Sequence, residues 1–146
     1  SVGDLKSMIE SGAIGLWMRV EDCYGDYGLV GAAIAIFEEE LFWKIDTFLL
    51  SCRVTGRRVE DALLGTLCRV AYKKGGRALI GEYIQSSKNA QVAQFYCHRG
   101  FKPVQEKTNL WQWDFEKGEL PVPDLITVRF EHGACDTTRQ TLSNSF

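Results

Sequence analysis

The 146 residues suffice for one hydrophobic core and not for two, so a single domain is expected. At 45% hydrophobic and 25% charged the composition is that of an ordinary globular chain, and no apolar run reaches the length of a membrane-spanning helix. A formal net charge of -2 and a pI near 5.7 provide no broad positive field; this argues against nucleic acid as a partner but leaves room for a local patch that holds one small phosphate.

The five cysteines, Cys23, Cys52, Cys68, Cys97 and Cys135, are odd in number, widely spaced and without a C-x-x-C pair. No neighbouring pair of histidines completes a zinc site, so free thiols and no metal are expected. Without a leader-like start the chain is assigned to a reducing cytoplasm. Its opening at Ser1, with no methionine, fits a domain cut from a longer polypeptide.

Val2, Leu5, Met8 and Ile9 are spaced as one face of a short helix over 2–10, which Ser11 and Gly12 stop. Two β-rich runs, 14–20 and 28–37, flank a turn rich in Asp and Gly and read as a hairpin. Residues 41–50 form a third strand, apolar on both faces toward its end, as in a buried mid-sheet strand. After Gly56 the period becomes helical, with Val59, Ala62, Leu63, Leu67, Val70 and Ala71 on one face and Gly75 and Gly76 as the stop. A fourth strand over 78–84 leads through polar residues into a helix over 89–98, which Arg99 and Gly100 close. Residues 101–104 and 109–115 return as strands, with Trp111, Trp113 and Phe115 sharing a core face. Beyond Lys117 only 125–130 has β character, and the remainder reads as tail. The expected fold class is therefore α/β: a mixed sheet with crossover helices, whose ligands bind at the carboxyl ends of the strands.

The stretch from Asn89 through Ala93 and Phe95-Tyr96 to Gly100-Phe101 resembles the N-x-x-A-x-x-F-Y-x-x-x-G-F motif of the acyl-CoA N-acyltransferase (GNAT) superfamily, and it lies between a strand and a following strand as that motif does. Closer still is a resemblance to the C-terminal GNAT-like domain of FkbH-like proteins, carried by residues 27–31, 45–54, 56–63 and 81–90. The D-x-D-x-[TV] motif of the phosphatase-like half of those proteins is absent. The resemblance implies a splayed GNAT-like sheet over residues 1–116, with the N-terminal part of the fold truncated, and a C-terminal extension over 117–146 with an extra strand and a flexible tail. It also implies a coenzyme A or acyl-CoA ligand, or a carrier-protein phosphopantetheine. An acyl carrier protein or a phosphatase-like domain is the implied partner, in polyketide-type natural-product biosynthesis.

Tyr96 stands where the family's tyrosine protonates the departing thiolate, and it is equally placed to pack against the sheet as a helix residue. Asn89 matches the family's helix-starting asparagine beside the pantetheine arm and also suits an N-cap. Asp46 falls where some relatives carry a general base, or is a buried, hydrogen-bonded aspartate; Glu82 is a second candidate base. The backbone at Phe48 and Leu50 is the expected pairing edge for pantetheine. Arg53, Arg57 and Arg58 cluster on the turn into the helix, a fitting geometry for phosphate.

The family's [QR]-x-x-G-x-[GA] phosphate motif is altered here. One register keeps Arg53 and Gly56 and puts Arg58 at the last small position; the preferred, gap-free register puts Thr55, Arg58 and Glu60 at the motif positions. Arg58 and Glu60 then crowd the pyrophosphate site, which predicts recognition of pantetheine over nucleotide. Cys52 and Cys97 are read as core thiols, and His98 as a helix-terminal residue. Two functions follow: an acyltransferase that holds an acyl thioester, or a catalytically silent module that docks one of the partners above.

Overall fold

A computed structural model describes residues 6–7, 10–54, 56–83, 94–124, 126–132 and 138–144. β1 (Ile14–Asp22), β2 (Gly25–Glu38) and β3 (Phe42–Leu50) form an antiparallel meander, followed by α1 (Val59–Lys73) and β4 (Ala78–Glu82). Then come the short α2 (Phe95–His98), β5 (Lys102–Pro103), β6 (Leu110–Asp114), β7 (Ile126–His132) and β8 (Thr138–Asn144). These strands make one mixed sheet in the order β5-β6-β4-β3-β2-β1-β8-β7.

One face of the sheet carries the core. Register puts Ile14, Leu16 and Met18 of β1 opposite Ala35, Ala33 and Gly31 of β2, and Trp43, Ile45 and Phe48 of β3 on the same side. Most of these side chains share a buried cluster with Val59, Ala62, Leu63 and Leu67 of α1, and Phe48 packs against its border. Gly31 is confined on this face, where an added Cβ would lie 2.9 Å from Leu50 Cδ2 and 3.0 Å from Met18 Cε.

Helix α1 is buried over more of its circumference than its apolar stripe foretells, because Leu64, Gly65, Thr66 and Cys68 are covered as well. The chain after β6 crosses the back of the helix. At Gly65 a Cβ would meet Val122 Cγ2 at 2.9 Å and the Leu120 carbonyl oxygen at 3.5 Å, so glycine lets this strap lie close. The helix ends where Gly75 and Gly76 predict: Gly75, at φ 93°, donates to the Tyr72 carbonyl and Gly76 to that of Ala71, the pair of bonds of a Schellman cap.

The strap delivers the chain to the far edge, where β8 runs parallel to β1 from Leu16↔Thr138 to Glu21↔Ser143 and β7 pairs with β8. Residues 138–144, which have the look of a tail in the sequence, are thus a strand; a polar run of Thr, Gln and Ser acquires strand structure once β1 offers it an edge. The anticipated helices over 2–10 and 89–98 fall largely outside the described residues.

Candidate functional site

The sheet forks at its centre. β3 and β4 pair in parallel only at Phe42↔Ala78, Trp43↔Leu79 and Lys44↔Ile80, whereas β3 stays paired with β2 up to Gly31↔Leu50. Past Lys44, therefore, one backbone edge of β3 has no strand partner among the described residues. The divergence explains why the end of β3 is not buried as its apolar sequence predicts: Leu49 is 63% exposed, and Phe48 and Leu50 are only half-buried.

A β-bulge lies just past the last β4 pair. Ile34 faces Thr47 and Ala35 faces Ile45, which leaves Asp46 as the extra residue on β3. Its side chain is exposed and accepts a hydrogen bond from Thr47 Oγ1 at 2.9 Å, in place of the buried aspartate allowed by the sequence. Glu82, at the end of β4, is salt-bridged to Lys44 of β3 at 3.2 Å across the mouth of the fork.

Tyr96 lies over Gly81, the first β4 residue beyond the last β3 pair. A Cβ on Gly81 would come within 2.2 Å of Tyr96 Cζ and 2.7 Å of its hydroxyl, so the ring rests directly on bare backbone. The ring is 7% exposed and packs against Phe95 and Phe101, each with its centroid 5.2 Å away. Among the described residues its hydroxyl has no hydrogen-bond partner. Burial, with the nearby Glu82 carboxylate adding to it, pushes the phenol up to about 12, so it is protonated at neutral pH and available as a donor. Phe95 also reaches Phe48, 5.5 Å between centroids, tying α2 to the second half of β3. By strand alternation Tyr96 lies on the core face, with Leu79, and Glu82 on the opposite face, with Lys44.

The three arginines of the turn into α1 do not converge. Arg53 donates to Ser51 Oγ at 3.1 Å, and Arg58 to Asp61 at 3.3 Å. Arg57 reaches back to the hairpin, donating to Asp22 Oδ2 at 2.9 Å and to the Tyr27 hydroxyl at 3.0 Å, with its guanidinium 4.9 Å from the Tyr27 ring centre. Burial pushes the Asp22 carboxyl up, but the Tyr24 amide, the Tyr27 hydroxyl and Arg57 together hold it below the usual carboxylate value.

Arg58 itself adopts a left-handed conformation, φ 60° and ψ 18°, just before the helix. This is the backbone a glycine would favour, and Gly56, the motif glycine of the other register, is also left-handed at φ 84°. Glu60 and Asp61 occupy the first turn, where carboxylates suit the helix dipole and repel a phosphate. Arg99 fastens both to α2: it donates to Asp61 Oδ1 at 2.7 Å and to the Phe95 carbonyl at 3.0 Å, and approaches Glu60 to 3.8 Å. Sequence reasoning missed Asp22, Tyr27 and Arg99. The first two lie some thirty positions from Arg57, and no local spacing reveals that pairing.

Asn89 lies outside the described residues. Cys52 and Cys97 are exposed, contrary to the expectation of core thiols, because Cys52 sits in the turn after β3 and Cys97 on the outer side of α2; Cys68 is the buried one among the described residues. Among the described residues no cluster of His, Cys, Asp or Glu is arranged to hold a metal, and no helix is long and apolar enough to cross a membrane.

No protein-family model and no curated protein matches the sequence. The fold, however, matches solved GNAT structures. An acetyltransferase of the GNAT family from Staphylococcus aureus Mu50 superposes with a TM-score of 0.61 at 12% identity, covering 77% of this chain and 75% of that one. A putative GNAT acetyltransferase from Desulfovibrio desulfuricans gives 0.53 at 18% identity over 61% of this chain, which spans 63% of that protein. A putative acyl-CoA N-acyltransferase from Klebsiella pneumoniae gives 0.50 at 15%, with 69% of each chain covered. The chain has the GNAT fold. At these identities the likeness establishes architecture, and chemistry has to be argued from the residues at the fork.

Proposed function

We propose that this domain is a GNAT-type acyltransferase that holds an acyl thioester in the fork between β3 and β4. The observation that carries the reading is the seat of Tyr96, whose ring is buried over Gly81 where the two strands part and whose hydroxyl has no hydrogen-bond partner among the described residues. A protonated phenol without an internal acceptor at a sheet opening has its O–H donor available to a ligand atom. Among the described residues the β4-facing edge of β3 near Phe48 and Leu50 has no strand partner, and its amide and carbonyl groups match the amides of a pantetheine arm. Tyr96 would donate its hydrogen bond to the sulfur as the C–S bond breaks. Glu82, or Asp46 at the bulge, would take the proton that the acceptor nucleophile gives up as its bond to the acyl carbon forms.

The nucleotide end of coenzyme A fits less well than the pantetheine arm. Arg57 and Arg58 are engaged in internal ion pairs, and two carboxylates occupy the first turn of α1. That balance favours phosphopantetheine on a carrier protein as the thioester's bearer, in line with the resemblance to FkbH-like C-terminal domains and with a role in polyketide-type biosynthesis. The same ion pairs favour a second reading, in which the scaffold has lost turnover and docks a carrier protein or a phosphatase-like domain.

Titration calorimetry with acetyl-CoA, pantetheine and a holo carrier protein tests the thioester reading: at least one should bind saturably, and binding by none refutes it. A thiol-release assay with acyl donors and a panel of amines and thiols separates the two readings. Turnover that falls about a hundredfold in Tyr96→Phe supports the enzyme, and binding without turnover supports the docking module.

A further inference from the structure

Asp22 takes no part in the chemistry above, yet its carboxylate is built into the same end of the sheet. β1 and β3 are both antiparallel to β2, so the end of β1 at Asp22 lies beside the end of β3 and the turn that follows it. The Asp22 side chain is 2% exposed, although it carries charge. It accepts hydrogen bonds from the Tyr24 amide at 2.8 Å, the Tyr27 hydroxyl at 2.9 Å and Arg57 at 2.9 Å. The Tyr27 hydroxyl thus bridges the pair, donating to Asp22 and accepting from Arg57, and its ring supports the guanidinium. With its carboxylate buried and triply bonded, and with Tyr27 bridging it to an Arg57 side chain that is 41% exposed, this pair is held more firmly than two mobile surface chains would be.

Arg57 stands two positions before the start of a 15-residue helix, where an arginine left free would be a ready cation for a phosphate. A carboxylate already holds it. Of the neighbouring cations, Arg58 is paired with Asp61, whereas Arg53 donates to the neutral Ser51 and keeps its charge, so two of the three arginines at the turn are matched by carboxylates.

We propose that Asp22 is a specificity-determining residue: its carboxylate takes the place of a ligand phosphate on Arg57, so the turn discriminates against the charged nucleotide end of a thioester and leaves recognition to the uncharged pantetheine arm. The proposal rests on the thioester-binding reading, and its test is kept separate by using inorganic pyrophosphate as the probe.

Pyrophosphate affinity is measured by calorimetry, with the Arg57 side-chain N–H followed by NMR. Asp22→Asn keeps an oxygen for the Tyr24 amide, and it should bind pyrophosphate about five- to tenfold more tightly than the unaltered protein. The gain should vanish when Arg57→Gln is added and shrink as salt is raised. Tyr27→Phe, which loosens the bridge without touching charge, should move affinity in the same direction by less. In the otherwise unaltered protein Arg57→Gln should leave pyrophosphate affinity unchanged. Unchanged or weaker binding by Asp22→Asn overturns the proposal, as does a loss of affinity in the single Arg57→Gln variant, which reads Arg57 as already free even if Asp22→Asn fails to fold. Failure of acetyl-CoA, pantetheine and a holo carrier protein alike to bind the unaltered protein refutes the thioester reading and leaves the pyrophosphate result standing.

Discussion

Tyr96 and Cys68 are the two residues whose ionisation the core resists most. Burial pushes the Tyr96 phenol from 10.0 to about 12 and the Cys68 thiol from 9.0 to about 12. Both groups are neutral in the folded chain at pH values where the unfolded chain has begun to ionise. Their contribution is whole below pH 9 and is lost as pH rises toward 12, since the native state then binds more protons than the unfolded one. Urea unfolding should accordingly show stability falling between pH 9 and 12, with Tyr96 accounting for about 3 kcal/mol of the loss. Tyr96→Phe should flatten the upper part of that slope, and an unaltered slope in the variant would refute the assignment. Arg58 shows the opposite kind of constraint: it keeps a left-handed backbone although it has a Cβ, a strain of about 1 kcal/mol that glycine would not carry.

Four residues make no independent helix, and α2 persists because neighbouring elements hold it. Its aromatic pair, Phe95 and Tyr96, reaches Phe48 of β3 and Gly81 of β4, while Arg99 ties its last turn to Asp61 of α1. The guanidinium also lies 4.0 Å from the Phe95 ring centre, so one side chain closes the joint by charge, hydrogen bond and stacking. Arg99→Ala should cost about 2 kcal/mol, because it leaves Glu60 and Asp61 partly buried with fewer partners. Hydrogen exchange should then quicken first at the amides of His98, Gly100 and Phe101, which bond within this segment. Equal protection with and without the arginine would show that the aromatic contacts alone suffice.

Across the molecule the C-terminal strands protect the sheet as well as widening it. β8 covers the edge of β1 over Leu16 to Glu21, and Ile126 joins the buried cluster under α1. A chain ending at Asp124 would expose that edge and a row of unpaired backbone groups. Truncation should lower the unfolding midpoint in urea and promote self-association in light scattering; a monomer of undiminished stability would contradict this role for β7 and β8.

How much of this was legible in advance depends on how local each cause is. Helix α1 with its Gly75 stop, the β1–β2 hairpin and the alternating Trp111 and Trp113 are written in nearest-neighbour chemistry: period, turn residues and caps act within a few positions. The GNAT-like order of elements followed from them together with the Asn89 to Phe101 motif. The functional surface was only partly legible. Tyr96 was legible as a candidate, but its seat over Gly81 depends on where β4 leaves β3, a matter of pairing between strands some thirty-five positions apart. The sequence shows three arginines at one turn and cannot show that Arg57 is bonded to Asp22, thirty-five positions away. Nor does it show that Thr138–Asn144 becomes a strand, since a polar segment with weak intrinsic preference takes its structure from the edge it meets. Sequence by itself therefore determined the order of elements from β1 to β7, because those are set by local steric and solvation preferences, and left β8 to the edge it meets. Tertiary structure alone decided the fork, the exposed bulge at Asp46 and the internal ion pairs, because each arises from contacts between segments remote in the chain.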